Sequence, residues 1–153
     1  MKARFLGFTL ALAAPLLPPV LVEPAAARAP AAATYQRQVH QATNQQRARH
    51  DRPAFRKQTC VQRYAVRQAA RMARQDRMFH QDLGPILRDC GLRTVGENVA
   101  YGYPSGRAAV NRGWMHSEGH RRNILNPAFR LLGAGARKSA DGTWYAAQVF
   151  GAR

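Results

Sequence analysis

The chain has 153 residues, a length typical of one domain and short for two. Its formal net charge is +16 and Arg outnumbers Lys 21 to 3, so the charge persists across physiological pH and attracts anionic partners. Nucleic acid is not the expected partner, because the sequence contains no recognisable nucleic-acid-binding module and its start indicates export.

The first 27 residues have the order of a secretory signal peptide. Lys2 and Arg4 precede an apolar run over residues 5–22, and small residues follow at 25–27. A retained membrane anchor is the alternative, but three prolines interrupt this run, which is short for a span. We therefore predict a secreted or extracytoplasmic protein, with cleavage after Ala27 or Ala33.

An Ala- and Pro-rich stretch follows the signal peptide and shows no apolar period. We interpret residues 28–34 as a short tether and place the domain at residues 35–153. Within the domain, Tyr35, Val39 and Ala42 recur at helical spacing and predict a first helix that ends near Arg49.

A second helix is predicted after Thr59, which is a good N-cap residue. Its apolar side is narrow and rich in Ala, so another element must approach it closely: Val61, Ala65, Ala69, Met72 and Ala73. The opposite side carries the arginine stripe: Arg63, Arg67, Arg71 and Arg74. This stripe could bind an anionic cell-wall polymer, a glycan or a lipid surface, although a solvated face is the common alternative.

Two cysteines, Cys60 and Cys90, are expected to form a disulfide after export. The chain-entropy estimate for the closed loop of about 30 residues is roughly 3–4 kcal/mol. Two buried free thiols are the alternative, and a structural zinc site is improbable without ordered His partners.

The remaining elements follow from caps and turn signals. The sequence predicts a short helix from Pro85 to Gly91, a strand over 95–101, helices over 107–116 and 118–125 capped by Ser105 and Ser117, and a hairpin over 132–138 and 143–150. Helices first and strands last predict a mixed layered sandwich of the α/β (α+β) class.

The residues that could carry chemistry are His80, Glu97 and the segment His116–His120, while Trp114 is interpreted as a core anchor. Glu97 stands in an apolar stretch, where a carboxylate needs a partner, and a histidine is the natural one. Such a pair could be purely structural. A zinc-protease motif at His116–His120 fails on spacing, and a serine hydrolase built on Ser117 lacks the nucleophile elbow.

Two motifs together carry a family resemblance: Gly96-Glu97-Asn98-Val99-Ala100, and the segment from Trp114 to Leu125. With them the chain resembles the CAP superfamily of cysteine-rich secretory, antigen 5 and pathogenesis-related proteins, most of all its bacterial secreted branch. The resemblance runs from Tyr35 to Gly151 and also includes Asn44, Arg47, His80, Gly133 and the ending 148–151. It implies a three-layer α-β-α sandwich with a small antiparallel sheet.

The resemblance also implies a central cleft, which in eukaryotic members carries two His and two Glu. His80 and Glu97 match the first of each, whereas Ser117 and Tyr145 stand where the second Glu and second His would be. His120 matches the His of the bacterial pattern and could replace the missing ligand. Zinc or another divalent metal would then be held by His80 and His120, with water completing the shell and with Glu97 either orienting one ring or completing the site.

From these residues we expect a monomeric, secreted CAP-domain protein whose His/Glu cleft binds a divalent metal, a lipid or a peptide. Its basic surface would associate with anionic envelope material. The alternative is a hydrolase of peptide or cell-wall substrates, with Glu97 or a His as general base on water. A third possibility is an inert scaffold whose surface does the binding.

Overall fold

The computed structural model describes residues 28–153; the predicted signal peptide lies outside this range. In chain order the elements are α1 (Arg28–Arg49), β1 (Arg56–Lys57), α2 (Thr59–Gln75), α3 (Gly84–Asp89), β2 (Thr94–Tyr101), α4 (Gly106–Ala108), α5 (Glu118–Leu125), β3 (Leu131–Lys138) and β4 (Trp144–Ala152). A π-helical turn (Ala109–Gly113) and a 3₁₀ turn (Trp114–His116) join α4 to α5.

The four strands form one sheet in the order β1-β3-β4-β2, so β2 is an edge strand. β4 pairs antiparallel with both β2 and β3, whereas β1 runs parallel to β3. Helix α2 covers one face of the sheet, while α1, α5 and Trp114 pack on the other. The predicted α-β-α sandwich is confirmed, with one parallel strand added to its antiparallel sheet.

Helix α2 lies directly on the backbone of β3. A Cβ built at Gly133 would overlap the backbone of Val61, and one built at Gly135 would overlap the carbonyl of Ala65. The two glycines are therefore needed for the close approach that the narrow Ala-rich face of α2 predicts. Cys60 at the start of α2 is joined to Cys90 after α3, with Cα atoms 5.6 Å apart, which confirms the predicted disulfide.

Buried Arg47 ties α1 to two loops. Its guanidinium lies 3.8 Å over the ring of Phe55 and donates to the carbonyls of Pro53, Ile124 and Asn126. Asn44, one turn earlier, both donates to and accepts from the backbone of Phe55. These contacts set the path of the chain from α1 into β1.

Four local expectations need correction. Residues 28–34 are the first turns of α1 rather than a tether, because Ala is the strongest helix former. Gln58, not Thr59, caps α2, since its side chain accepts from the amide of Val61 at 2.8 Å. The helix predicted over 107–116 is divided into three short turns, although Ser105 does cap the first. Strand β1 was not predicted, because its two residues are both exposed and show no apolar pattern.

Within residues 28–153, no helix combines the length and the apolar character that crossing a bilayer requires.

Candidate functional site

The loop after α2 is anchored at Phe79. Phe79 packs in the cluster that contains Met72, Val99 and Tyr145, and its carbonyl accepts from the side chain of Gln68. Gln68 is fully buried, so the bond is shielded from water. Because this loop is anchored at Phe79, the next two residues, His80 and Gln81, are placed over β2.

His80 and Glu97 form the centre of the site. Nδ1 of His80 lies 2.7 Å from Oε1 of Glu97, and the two side chains are 61% and 1% exposed. The carboxylate is therefore covered while the imidazole faces solvent. With Nδ1 engaged, Nε2 is the ring nitrogen left for a ligand or a proton transfer.

Gln81 completes the environment of the buried carboxylate. Its backbone N–H donates to Oε1 of Glu97 at 3.2 Å, and its side-chain amide donates to Oε2. Both oxygens of Glu97 are thus used, as a buried carboxylate requires. The sequence did not identify Gln81 as a site residue, because nothing but its place beside His80 singles it out.

A buried polar network on the other face of the sheet holds α5 against β2. The side-chain amide of Asn98 donates to the carbonyl of His120 at 3.1 Å and to Gln148 at 3.0 Å. Asn123 donates to the backbone of Glu97 at 3.1 Å and to Asn98 at 2.9 Å. Gln148 in turn donates to Thr43 of α1 at 2.7 Å. Buried polar residues in otherwise apolar strands are the sequence signal for this network.

His120 stands half-buried on α5 at the edge of the sheet. Burial lowers its pKa first, and the charge of nearby His80 lowers it further, so the neutral form is favoured. No hydrogen bond to its ring is made by any group in residues 31–153. Neutral imidazole with a free nitrogen is the form that binds metal or accepts a proton.

The other two predicted cleft residues do not join the His80–Glu97 pair. Ser117 occupies the N-cap position of α5, and its hydroxyl makes no capping bond. The Tyr145 hydroxyl donates to Asp76 at 2.8 Å, and burial together with this bond raises its pKa to about 12. Tyr145 pairs with Tyr101 on β2, four positions along the strand from Glu97. That Ser117 and Tyr145 line a ligand cleft stays a prediction.

The metal prediction can be compared with the available donors. Within the described part of the chain, no three His, Cys, Asp or Glu side chains form a group that could hold a metal ion. His80 and His120 have chemically suitable donors, but Glu97 already uses both oxygens. A metal site with two imidazole ligands and water, in which Glu97 would support His80 from behind, therefore stays a prediction.

The segment His116–His120 does not form one metal-binding helix face. His116 ends the 3₁₀ turn, and Ser117 is extended before α5 begins. Glu118 pairs instead with Arg122 on the surface, with both side chains more than two-thirds exposed. This geometry agrees with the sequence prediction that the segment His116–His120 is not a zinc-protease motif.

The arginine stripe of α2 faces outward, with one exception. Arg63, Arg67 and Arg74 are exposed, whereas Arg71 is half-buried and donates to Gln68. Its guanidinium also reaches Gln81 at 3.5 Å, so the stripe contacts the candidate site at Arg71.

Comparison with known proteins decides the family. The sequence profile of the Cysteine-rich secretory protein family, CAP, matches residues 40–150, which include every residue of the site described above. The chain belongs to the CAP family. Its CAP domain is 41% identical over 58 residues to YkwD of Bacillus subtilis, a match that covers 37% of this chain and 22% of that protein.

Solved structures show the same CAP fold. An extracellular SCP-domain protein of Bacillus anthracis is 27% identical, with a TM-score of 0.73 over 92% of this chain and 45% of its own. An outer surface protein of Borrelia burgdorferi is 18% identical, with a TM-score of 0.67 over 76% of this chain and 91% of its own. The chain thus spans less than half of the B. anthracis protein and about a fifth of YkwD.

Proposed function

We propose that this CAP-domain protein is secreted and binds a ligand in a cleft formed by His80, Glu97 and His120. The observation that supports the proposal is the 2.7 Å pair of an exposed His80 ring and a covered Glu97 carboxylate. A buried carboxylate that fixes one nitrogen of an exposed imidazole leaves the other nitrogen oriented toward solvent.

A divalent metal such as zinc is the ligand chemistry that fits these donors best. His80 offers Nε2, and His120 is kept neutral by its lowered pKa. Two imidazoles and water make a weaker site than three or four protein ligands, so we expect modest affinity. A small lipid or peptide ligand could use the same two rings as hydrogen-bonding groups.

Zinc titration tests the metal proposal. The double variant His80→Ala with His120→Ala should lose at least about tenfold in affinity relative to the unaltered protein. A matched control, His50→Ala with His116→Ala, removes two exposed histidines outside the site and should bind as before. Equal affinity of the site variant and the unaltered protein would remove the metal from the proposal.

Secretion is supported by the order of the first 27 residues, by the disulfide, and by the extracellular SCP-domain protein with the same fold. Expression of the full chain in a bacterial host, followed by mass spectrometry of the culture medium, tests it. A mature N-terminus at residue 28 or 34 supports the proposal, and a full-length chain retained in the cell contradicts it.

Association with anionic envelope material is the second part of the proposal, and the exposed arginines of the α2 stripe support it. Neutralising Arg63, Arg67, Arg71 and Arg74 should reduce the fraction bound to isolated envelopes, and the reduction should be greatest at low salt. The His80→Ala and His120→Ala double variant should bind envelopes normally. A loss confined to the cleft variant would contradict this part.

A hydrolase is the alternative, and one observation favours it: the His80–Glu97 pair has the arrangement of a base oriented by an acid. Glu97 is too covered to contact substrate, so His80 would activate water. A pH–rate profile on peptide and cell-wall substrates tests this. Turnover that is absent, or unchanged in the His80→Ala and Glu97→Gln variants, eliminates the enzyme.

A further inference from the structure

A basic pocket lies at the end of the sheet where β1, β2 and β3 begin and β4 ends. We call it the sheet-end pocket; its volume is about 650 Å³. Five cationic residues line it: Arg56, Lys57, Arg93, Arg130 and Arg153. No acidic side chain lines it, and no aromatic one does. None of these five residues belongs to the cleft or to the arginine stripe.

The sheet itself holds these cations together. The amide of Arg56 donates to the carbonyl of Arg130 at 2.9 Å, and the amide of Arg130 donates to Gly151 at 3.0 Å. The amide of Arg93 donates to Ala152 at 2.8 Å. The sheet therefore fixes the backbone positions from which the cationic side chains extend.

No acidic side chain neutralises the charges in the pocket; the Arg93 guanidinium donates to the main-chain oxygen of Arg153, and that of Arg130 donates to the carbonyls of Pro127 and Phe129. Residues 31–153 contain two ion pairs, His80–Glu97 and Arg122–Glu118, and neither reaches the pocket. The positive charge of the pocket also affects buried Arg47. Burial lowers the pKa of Arg47 to about 10, and the charges of Arg130, a pocket residue, and of Arg52 lower it further. Like charges held close without counter-charges repel each other, and a bound anion relieves that repulsion.

The beginning of α2 adds to the positive potential. Gln58, the N-cap of this 17-residue helix, lines the pocket, and the first turn of α2 contains no acidic residue. The partial positive charge of a helix N-terminus thus acts in the same direction as the cationic side chains at the strand ends.

We propose that the sheet-end pocket binds successive phosphate groups of a base-free phosphate polymer, such as a polyphosphate or a polyol phosphate chain. Guanidinium groups match phosphate oxygens two at a time, and several of them around one concavity suit a multiply charged chain. A nucleic acid would need aromatic platforms for its bases, which the pocket lacks. A membrane surface would favour exposed apolar residues at the pocket; the large ones in the described chain are Val66, Met78 and Tyr101, and none lines it.

The test compares two variants that lose the same charge. Arg56→Gln with Lys57→Gln and Arg93→Gln removes three cations from the pocket, and all three side chains are exposed. Arg107→Gln with Arg112→Gln and Arg137→Gln is the control variant, which removes three exposed cations that lie outside both the pocket and the α2 stripe. Binding of linear polyphosphate is measured by calorimetry at several salt concentrations, after circular dichroism has confirmed that both variants fold.

The pocket variant should lose about tenfold or more in affinity, and the slope of log K against log salt should fall by about two. The control variant should stay within about threefold of the unaltered protein. Equal losses in both variants, or a loss confined to the control variant, would overturn the proposal. If the triple pocket variant does not fold, Arg56→Gln and Arg93→Gln are measured singly, and no loss in either has the same consequence.

Two further probes check the class of ligand. Single-stranded DNA of matched charge and vesicles of anionic phospholipid should each bind more weakly than polyphosphate, and the pocket variant should change their binding less. Tighter binding of either probe through the pocket residues would contradict the assignment to a base-free polymer. Zinc affinity of the pocket variant should be unchanged, which separates this proposal from the cleft.

Discussion

Glu97 and Asn98 are neighbours on edge strand β2, and each fixes one of the two histidines of the site. Glu97 lies on the sheet face that α2 covers, where its carboxylate forms a hydrogen bond with the His80 ring. Asn98 projects from the opposite face and donates a hydrogen bond to the backbone carbonyl of His120. Alternation along a strand makes this possible, because successive side chains leave opposite faces. One edge strand thus connects both helical layers to the site.

Replacing Glu97 with Gln should disturb stability and binding together. The amide keeps the size of the carboxylate but offers one acceptor oxygen where His80 and Gln81 supply three donor groups. We expect a loss of about 1–3 kcal/mol in the free energy of unfolding. Zinc affinity should fall about 10- to 100-fold. Urea denaturation and zinc titration measure the two effects.

Glu118→Gln is the matched control for that change. Its carboxylate pairs with Arg122 on the surface, where such pairs contribute little. The free energy of unfolding should change by less than about 0.5 kcal/mol. A Glu97→Gln variant that is as stable as this control would show that the pair at the site is not needed for the fold.

The lowered pKa of His120 predicts how stability depends on pH. The folded pKa lies below the unfolded value of 6.5, so the unfolded chain binds more protons in the window between them. The contribution of neutral His120 to the free energy of unfolding is therefore present above that pH window and is lost as pH falls through it. The unaltered protein should therefore lose more stability than His120→Gln between about pH 7.5 and about pH 5.

Urea denaturation at both pH values gives this difference. His40 also has a lowered pKa, through burial and the charge of Lys57, and contributes in the same direction in both proteins. The comparison between the two proteins removes that shared contribution. A larger loss of stability on acidification in His120→Gln than in the unaltered protein would contradict a lowered pKa of His120.

The sequence predicts well those elements whose own pattern of apolar residues shows which side is buried. Helix α2 shows a complete apolar face, and the β3–β4 hairpin shows alternation around a turn at Gly142. Strand β1 could not be predicted, because its two exposed residues are ordered by pairing with Leu131 and Leu132 rather than by their own pattern. The π-helical turn before Trp114 likewise reflects packing that no local propensity contains.

The residues of the candidate site also fall into two groups, those that the sequence predicts and those that it does not. A carboxylate in an apolar strand requires a partner, which makes the pairing of Glu97 with a histidine predictable. Gln81 and Asn123 could not be found from the sequence, because polar residues in a loop and on a short helix are common. Their roles depend on which hydrogen-bond acceptors the fold brings opposite them.

The close contact between α2 and β3 predicts that a side chain at position 135 would destabilise the protein. Gly135→Ala would place its Cβ against the Ala65 carbonyl, which is helix backbone and cannot move aside. We expect the variant to lose about 3 kcal/mol or more. Gly119→Ala is the control: its Cβ would meet only the end of the Arg122 side chain at 4.0 Å, inside helix α5. Because Gly119 lies in the first turn of α5, that control should change stability by less than about 0.5 kcal/mol, and thermal unfolding of the two variants measures the contrast.

Removing the Cys60–Cys90 disulfide should cost stability while leaving the fold intact. The bridge closes a 30-residue separation that includes α2, α3 and the loop that carries His80. Restricting the unfolded chain over such a loop is worth about 3–4 kcal/mol, so Cys60→Ser with Cys90→Ser should lower the free energy of unfolding by that amount. Urea denaturation of the variant, compared with the unaltered protein with and without reductant, measures the loss. A loss below about 1 kcal/mol would mean that packing between α2 and α3 already restricts this loop in the reduced chain.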